Sequence, residues 1–215
     1  MTASTTTLRQ LFVIAAPSGA GKTSLVKALL EQEPHLRVSV SHTTRKPRAH
    51  EVDGRDYFFV DVARFEAMVA SDAFVEHARV FDNYYGTSRA ALERAFADGF
   101  NVILEIDWQG AQQVRKSMPE CTTIFILPPS RQALEERLVK RNTDNAASLA
   151  RRLGDAVTDM SHCLEFDYAI VNDDFATAVA QLRQLVRAGA VPRAQALAAA
   201  RAELQPLLGQ LLRKT

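Results

Sequence analysis

The segment APSGAGKTS, residues 16–24, has the composition of a loop that holds phosphate. A short apolar run precedes it and a helical stretch follows. Backbone N–H groups in the loop and at the helix N-terminus can therefore point at phosphate oxygens. Lys22 can reach the outer phosphates of a nucleotide, and the Thr23 hydroxyl can ligate Mg²⁺. The segment predicts nucleotide binding, although such a loop alone does not identify a reaction.

The loop departs from the usual GxxxxGK[ST] pattern at its first position, where Ala16 replaces glycine. Gly21, Lys22 and Thr23 of the pattern are kept. Ala16 must therefore adopt a backbone conformation that is open to a residue with a side chain. An ordinary glycine-rich turn before a helix is the alternative interpretation, but the strand and helix predicted on either side favour a nucleotide-binding loop.

A second polar segment, VSVSHTTRKPR at residues 38–48, places two arginines after a run of hydroxyl side chains. Arg45 and Arg48 can form forked hydrogen bonds to a phosphate, and Pro47 stiffens the loop that carries them. Taken by itself, the segment is equally typical of a basic surface loop. Its function depends on the motifs around it.

Four apolar runs are predicted to be strands buried on both faces of a sheet. They are Leu11–Ala15, Asn101–Ile106, Thr122–Leu127 and Tyr168–Val171. Helices are predicted over Lys22–Gln32 and from near Trp108, Ser130 and Phe175. Because repeated strand-then-helix units build a parallel sheet, we predict an α/β fold with helices on both faces of a parallel core.

Between the first helix and Asn101 the pattern changes to short alternating strands, which predicts an inserted, mixed α/β subdomain. Strands are predicted at Val38–Ser41, Tyr57–Val60 and Phe74–Phe81, around a helix over Asp61–Ser71. A polar stretch, Asn142–Ser148, interrupts the helix that begins near Ser130, as a short mobile lid would.

The C-terminal stretch from Ala194 is rich in Ala, Leu and Arg and predicts an amphipathic helix. Pro206 should kink or interrupt this helix. If the helix exposes its leucines, a subunit interface is favoured. These residues are Leu197, Leu204, Leu207, Leu208 and Leu211.

Composition limits the class of protein. The 215 residues, 47% hydrophobic and 24% charged, can bury one sizeable core, so we expect a single domain. A net charge of +1 supplies no overall field for nucleic acid or an anionic membrane. Without an N-terminal signal pattern or an apolar run of about 18 residues, we expect a soluble cytoplasmic protein.

The metal-binding and redox residues form no recognisable pattern. Cys121 and Cys163 fit neither a CxxC motif nor zinc spacing, which predicts reduced, buried thiols. The histidines share no ligand spacing, so a metal or acid–base cluster is disfavoured and structural or surface positions are expected. They are His35, His42, His50, His77 and His162. Contact of His42 with a substrate stays open.

Further motifs follow the phosphate-binding loop in a fixed order. They are GRDYFF at 54–59, FVEHA at 74–78, NYYGTS at 83–88, LEIDWQG at 104–110, ERLVKR at 136–141, ARRL at 150–153 and IVNDDF at 170–175. Together they resemble the guanylate kinase family, in its bacterial form, over residues 8–188. The resemblance implies one domain with a core at 8–37, 88–137 and 153–190, a GMP-binding insertion at 38–87, a lid at 138–152 and a C-terminal helix at 191–215.

The resemblance also implies which residues bind each substrate. The expected ATP-binding residues are Pro17, Ser18, Gly19, Ala20, Gly21, Lys22, Thr23, Ser24 and Asn172. The GMP phosphate is expected to be bound by Arg45, Arg48, Tyr57 and Tyr85. The base is expected to be bound by Ser41, Glu76, Thr87 and Glu105, and Gly86, between Tyr85 and Thr87, is also an expected GMP-binding residue. Thr23 and Asp107 are expected to govern Mg²⁺, and the expected catalytic residues are Lys22, Arg137, Arg141 and Arg152.

Guanine chemistry supports this assignment independently. Guanine carries neighbouring N–H donors at N1 and N2, so a carboxylate such as Glu76 can accept both while a hydroxyl donates to O6. Adenine has no such pair of donors. Because an unpaired buried carboxylate is costly, rejection of AMP by on the order of 10⁴ is attainable. Tyr57 or Tyr85 could instead be a core aromatic residue with its hydroxyl at the surface.

The implied reaction is in-line transfer of the γ-phosphoryl group of Mg·ATP to GMP. The GMP phosphate is largely dianionic at neutral pH, so no strong general base is needed, and cations neutralise the developing charge. From the residues alone, Arg137 and Arg141 form an i, i+4 pair typical of a solvated, salt-bridged helix face; the resemblance favours catalysis. Asn142 stands where the family usually has glycine.

Two other functions fit parts of the pattern. Another nucleoside monophosphate kinase would share the phosphate-binding loop, but Glu76 and Ser41 favour guanine. A non-catalytic protein-binding module would share the fold, but Lys22, Thr23 and Asp107 are all kept. The expected partners are ATP and GMP, with dGMP as a further acceptor and a homo-oligomer left open, and neither nucleic acid nor membrane.

Overall fold

The computed structural model of the protein describes residues 9–80, 82–140, 146–188, 202 and 204–213. The strands are β1 (Leu11–Ala15), β2 (Leu36–Val38), β3 (His42–Thr43), β4 (Phe58–Phe59), β5 (Phe74–Val80), β6 (Asn83–Ser88), β7 (Asn101–Glu105), β8 (Thr122–Leu127) and β9 (Tyr168–Val171). The helices are α1 (Lys22–Leu30), α2 (Val62–Ala70), α3 (Arg89–Ala97), α4 (Trp108–Ser117), α5 (Arg131–Lys140), α6 (Ala146–Ser161) and α7 (Phe175–Ala188), with a 3₁₀ turn at Cys163–Glu165. Residues 204–211 are also helical.

The apolar runs form a five-stranded sheet in the order β2-β7-β1-β8-β9. The pairs β2–β7 and β8–β9 are both parallel. Every residue of β1 and of β8 is buried, as expected for strands covered on both faces. β1, β8 and β9 have the predicted bounds, and β7 ends one residue early. The predicted α/β fold with a parallel sheet core and flanking helices is confirmed.

The chain divides into two compact units. The first contains His35–Leu104, Gln113–Cys121 and the segment ending at Phe12. The second contains Val13–Pro34, Glu105–Gln112 and the chain from Thr122 onward.

The first unit contains a four-stranded sheet in the order β4-β3-β6-β5. β3 pairs with β4 in parallel, whereas β6 pairs with both β3 and β5 in antiparallel fashion. α2 forms where it was predicted, because Asp61 caps its N-terminus by accepting the N–H of Arg64 at 2.7 Å. Phe65 is the buried residue of this helix, and its ring stacks on Phe74 with centroids 4.7 Å apart.

The predicted strand Val38–Ser41 is wrong, because two different strands flank that position. Val38 is the last residue of β2, and the N–H of Ser39 still donates to Ile103 O of β7 at 3.0 Å. The chain then leaves that sheet, and β3 begins at His42.

β6 and α3 are elements that the sequence did not predict. The sequence of β6 does not look like a strand, because it contains Asn83 and Gly86 and both residue types are uncommon in strands. A Cβ on Gly86 would lie 2.9 Å from Cδ1 of Phe74, so close packing requires glycine there. Ser88 ends the strand and caps α3, with its Oγ accepting the N–H of Ala91 at 3.3 Å.

The predicted irregular segment Asn142–Ser148 is wrong over Ala146–Ser148, which form the first turn of α6. Its remaining residues lie outside the described chain. α6 thus begins earlier than predicted.

The C-terminal leucines are not the exposed row that the subunit-interface idea required. Leu204, Leu208 and Leu211 are only 8%, 6% and 0% exposed, and Leu197 lies outside the described residues. Arg131 Nη1 donates to the carbonyl oxygen of Arg213 at 2.6 Å, which ties the C-terminal segment to α5. Pro206 does not interrupt the helical residues 204–211.

Both cysteines are free and buried, as predicted. No helix in the part of the chain that the structure describes has the length and apolar character needed to cross a membrane.

Candidate active site

The glycine-rich loop lies between the end of β1 and the start of α1, inside the second unit. Gly19 and Gly21 adopt φ values of +92° and +94°, the left-handed region that favours glycine. Within the described part of the chain, Asp72 is the one non-glycine residue with positive φ, so Ala16 does not adopt the left-handed conformation that would require glycine.

Asn172, which follows β9, braces this loop. Its Nδ2 donates to Ala20 O at 2.8 Å, and its backbone N–H donates to Leu127 O at 2.8 Å. Asn172 is only 5% exposed, and a Cβ on Gly21 would collide with its Nδ2. Asn172 was predicted among the ATP-binding residues; its side-chain amide holds the backbone of the phosphate-binding loop.

Lys22 and Thr23 open α1 and reach the segment that follows β7. Lys22 Nζ donates to Ile106 O at 3.0 Å, and Thr23 Oγ1 donates to Glu105 Oε2 at 3.2 Å. Thr23 and Ser24 are exposed at the helix N-terminus. Glu105 was predicted beside the base of GMP, and its hydrogen bond to Thr23 ties it to the nucleotide-loop residues of the second unit.

Asp107 directly precedes α4 and caps its N-terminus. Its Oδ1 accepts the N–H of Gly110 at 2.8 Å, while its backbone oxygen accepts the N–H of Ala111. Among the residues that the structure describes, no group of three His, Cys, Asp or Glu side chains is arranged to hold a metal ion. Mg²⁺ is commonly bound through one or two protein oxygens and the phosphates of its nucleotide, so Thr23 and Asp107 fit that ion.

Two of the three predicted lid arginines contact the loop and its brace. Arg152 Nη2 donates to Ser18 Oγ at 2.9 Å. Arg137 Nη2 donates to Asn172 O at 2.9 Å, while its buried Nη1 has no hydrogen-bond partner among the described residues. The third, Arg141, lies outside the described residues.

An aromatic stack anchors the end of α6, the helix that carries Arg152. The ring of His162, just after α6, lies 3.5 Å from that of Trp108 with planes only 7° apart. His162 Nδ1 is 2.6 Å from Glu165 Oε1, and Gln112 Nε2 donates to Glu165 Oε2 at 2.7 Å. These contacts join α6 to the start of α4. The sequence analysis missed this contact between α4 and the end of α6. Its partners are distant in sequence, with a separation of 53 positions between Gln112 and Glu165.

Asp159 on α6 lies in an acidic neighbourhood within the second unit. Burial, with the charges of Asp107 and Asp155, raises the pKa of its carboxyl from 3.8 to about 6, against an opposing effect of Lys22 and His162. Asp155 Oδ2 is buried without a described hydrogen-bond partner. The ionised form of Asp159 is therefore disfavoured in the folded protein.

We expect Asp159→Asn to stabilise the protein at neutral pH. A carboxyl with a raised folded-state pKa favours the folded state when protonated, so its stabilising effect is lost as pH rises from 3.8 to about 6. Removing the charge should therefore add on the order of 2–3 kcal/mol to the free energy of unfolding at pH 7.5 and almost nothing below pH 4. Urea unfolding of both proteins across this range measures the difference, and exposed Asp173→Asn is the control. A gain that does not vary with pH would contradict the assignment.

The predicted phosphate ligands of GMP gather in the first unit around Glu51. Arg45 makes two hydrogen bonds to its carboxylate, from Nη1 to Oε2 at 3.0 Å and from Nη2 to Oε1 at 2.8 Å. Glu51 Oε2 also accepts the backbone N–H of Arg48 at 2.7 Å. The Glu51 side chain is only 7% exposed. Its hydrogen bonds from Arg45 lower the pKa of Glu51, and the same pair raises the pKa of Arg45.

Two tyrosine rings complete this cluster. The Arg45 guanidinium carbon lies 5.4 Å from the Tyr57 ring centroid, and the Tyr57 and Tyr85 rings meet edge to face with centroids 6.1 Å apart. Both tyrosines are partly exposed. Arg48 extends further into solvent, with a side chain 67% exposed. The structure thus brings together all four predicted phosphate ligands.

Glu51 was missed by the sequence analysis, because a single carboxylate within a basic loop carries no pattern of its own.

We expect Glu51→Gln to raise KM for GMP about tenfold with little change in kcat, since Arg45 loses a charged partner that accepts two hydrogen bonds but remains present itself. Steady-state kinetics with varied GMP measures this. Glu33→Gln is a matched control, because Glu33 likewise accepts from two arginines, Arg183 and Arg187, at 2.7 Å each. An equal change in both variants would show that only general stability was lost.

The predicted base-recognition residues include a buried acid–hydroxyl pair. Thr87 Oγ1 donates to Glu76 Oε1 at 2.6 Å, and the two residues are 0% and 3% exposed. The adjacent Gly86 pairs with both His42 and His77 in the sheet. Ser41 lies just before β3, and its carbonyl oxygen accepts the N–H of Phe58 at 2.9 Å. A buried carboxylate in such a setting suits adjacent N–H donors of a ligand.

His42 belongs to the aromatic packing of the insertion. Its ring stacks on Phe58 with centroids 4.8 Å apart and meets Phe74 edge to face at 5.6 Å. Burial, together with the nearby charge of Arg64, lowers its pKa, so the neutral form is favoured. The contacts of His42 are structural, as expected for the histidines.

An α/β protein whose first strand leads into a glycine-rich loop, and which carries a separate cluster of arginines and tyrosines suited to a phosphate, fits the class of nucleoside monophosphate kinases. A model of the guanylate kinase family matches residues 8–189, and the chain belongs to the guanylate kinase family. The chain is 60% identical over 177 residues to the guanylate kinase of Methylococcus capsulatus, covering 82% of this chain and 87% of that one. It is 56% identical over 204 residues to that of Chromohalobacter salexigens, covering 94% and 92%. The crystal structure of guanylate kinase from Anaplasma phagocytophilum superposes with a TM-score of 0.67 at 34% identity, covering 84% of this chain and 85% of that one.

Proposed function

We propose that the chain transfers the γ-phosphoryl group of ATP to GMP, giving ADP and GDP. Membership of the guanylate kinase family and relatives of that name at 54–60% identity support this reaction. The observation that carries the choice of acceptor is the buried Glu76–Thr87 pair, since a buried carboxylate suits the N1 and N2 donors of guanine. Family and residue chemistry therefore agree.

The acceptor side of the mechanism is binding and orientation. Arg45, Arg48, Tyr57 and Tyr85 would hold the GMP phosphate while leaving one oxygen free to attack. That phosphate is already largely dianionic at neutral pH, so no side chain has to remove a proton. Ser41 and Thr87 would join Glu76 around the base. Fixing the acceptor in this way supplies much of the catalytic effect of positioning.

The donor side stabilises charge on the transferring group. The N–H groups of the loop from Pro17 to Gly21 and the N-terminus of α1 would cradle the phosphates of ATP, beside Ser24. Lys22 would contact the transferring phosphoryl group, and Arg137, Arg141 and Arg152 would neutralise charge on its equatorial oxygens. The Arg152–Ser18 hydrogen bond supports this role, because it holds the guanidinium against the loop.

Mg²⁺ is the expected cofactor, and the Thr23 hydroxyl and Asp107 carboxylate would hold it, directly or through water. When bound, the ion neutralises phosphate charge. The link between Thr23 and Glu105 at 3.2 Å supports an oxygen-rich environment for it.

We also propose that the chain is divided into a core, a GMP-binding insertion, a lid and a C-terminal helix, with the bounds given above.

dGMP is proposed as a second acceptor. The cytoplasm is the proposed compartment, supported by two free, buried cysteines, which suit a reducing environment. A sedimentation run returning only 23.8 kDa species would exclude a stable oligomer.

The reaction is tested by incubating the purified protein with ATP labelled at the γ-phosphate, Mg²⁺ and GMP. We expect labelled GDP and one ADP for each GDP formed. Tight binding of a non-hydrolysable ATP analogue without any GDP would point to another acceptor. Absence of both binding and product would support the protein-binding module instead.

A further inference from the structure

Thr43 is completely buried between two backbone segments that carry proposed ligands of the GMP phosphate. Its Oγ1 donates to Tyr84 O at 3.0 Å and accepts the N–H of Arg45 at 3.2 Å. Tyr84 directly precedes Tyr85 in β6. One hydroxyl group is therefore hydrogen-bonded to the segments on both sides of the phosphate cluster.

Thr44 strengthens the same link. Its N–H donates to Tyr84 O at 3.1 Å, and its Oγ1 accepts the N–H of Tyr84 at 2.9 Å. The paired residues of β3 and β6 end at Thr43 and Tyr85, so these bonds extend the connection beyond the ladder. Both backbone groups of Tyr84 are thereby fixed by threonines.

The Arg45 side chain is constrained at its far end as well. Glu51 holds both terminal nitrogens of its guanidinium, at 2.8 and 3.0 Å. With the backbone N–H held by Thr43, the two ends of this residue are fixed independently. Hydrogen bonding between Tyr85 and Arg45 also contributes to raising the pKa of Arg45.

We propose that Thr43 is a positioning residue for GMP binding, setting the spacing of Arg45 and Tyr85 so that both reach one phosphate group. This inference rests on the proposed function of those two residues. Recognition of a phosphate by several donors requires correct placement to a fraction of an ångström, so a small shift of either segment weakens binding. The Thr43 hydroxyl acts through Arg45 and Tyr85 and touches no reacting atom.

The test compares Thr43→Val, which keeps the branched shape and removes the hydroxyl, with Thr43→Ser, which restores it. Thr123→Val is the matched control. Thr123 is 1% exposed, and its Oγ1 donates to Asp167 Oδ2 at 2.8 Å and accepts the N–H of Asp167 at 3.0 Å. The same substitution there removes a buried hydroxyl that is not assigned to GMP binding. KM for GMP, KM for ATP, kcat and Tm are measured for all.

We expect Thr43→Val to raise KM for GMP about tenfold while KM for ATP and kcat stay within about twofold. Thr43→Ser should return KM for GMP to within about twofold of the unmodified enzyme. Thr123→Val should lower Tm and leave KM for GMP unchanged. A purely structural role of Thr43 would instead lower Tm with no separate effect on GMP.

An unchanged KM for GMP in Thr43→Val, or an equal rise of both KM values, would overturn the inference. If Thr43→Val does not fold, Thr44→Val gives the second measurement, with an expected rise of about threefold in KM for GMP; no rise there would overturn the inference as well. Failure of the proposed function is distinct, because the unmodified protein would then show no GMP turnover.

Discussion

Arg152→Ala should lower kcat by roughly 10³ to 10⁵ while changing KM for either nucleotide far less. The guanidinium is expected to bind the transferring phosphoryl group most strongly in the transition state, so its loss raises the barrier by about 4–7 kcal/mol. In the structure Arg152 Nη2 is held on Ser18 Oγ at 2.9 Å, which keeps it beside the phosphate-binding loop. Steady-state kinetics with each substrate varied in turn measures both constants.

Arg151→Ala is the control for this prediction, because Arg151 is its exposed neighbour on α6. The control should retain nearly full activity. A large rise in KM for ATP with kcat preserved in Arg152→Ala would place the arginine in ground-state binding and remove it from the transition state.

Glu76→Gln should lower kcat/KM for GMP by about 10³. The carboxylate is 3% exposed and accepts from Thr87 at 2.6 Å. An amide replaces one accepting oxygen with a donor, which would face the N–H groups of guanine and leave polar groups unpaired. Turnover of GMP and AMP by the variant and the unmodified enzyme measures the effect.

The control is Glu66→Gln on the exposed side of α2 in the same unit. It should leave GMP turnover unchanged. Equal loss with GMP and AMP in Glu76→Gln, or a loss matched by a large fall in Tm, would show that Glu76 supports the fold and does not read the base.

The second unit was the more predictable part of the chain. Continuous apolar runs such as Thr122–Leu127 leave few alternatives to buried strands, and a glycine-rich loop between a strand and a helix has a local signature. The cap of α2, in the first unit, is equally local, since Asp61 accepts a hydrogen bond from a residue three positions later. Such features need no knowledge of distant contacts.

The insertion was predicted less well because its structure depends on contacts that are distant in sequence. β3 contains only His42 and Thr43, too short to show an alternating pattern. Gly86 in β6 is explained by the Phe74 ring, which no local rule reveals. The bounds of the predicted strand near Val38 failed for the same reason, since pairing with β7 decides where β2 ends.

Among the site residues, the sequence indicated the proposed ligands but not the residues that hydrogen-bond to them. Arg45, Tyr57 and Glu76 belong to motifs with a direct chemical purpose. Glu51 and Thr43 act by holding other groups, and their partners are visible only once the chain is folded. Supporting residues of this kind have ordinary types and ordinary spacing, so the structure is needed to find them.

The most direct test of the account is ADP production by the unmodified enzyme with Mg·ATP and each of GMP, AMP, CMP and UMP in turn. We predict strong turnover with GMP and turnover with AMP lower by on the order of 10⁴ in kcat/KM. Comparable rates with AMP or a pyrimidine nucleotide, or no turnover with any acceptor, would contradict the assignment of Glu76 and Thr87 as the residues that select guanine.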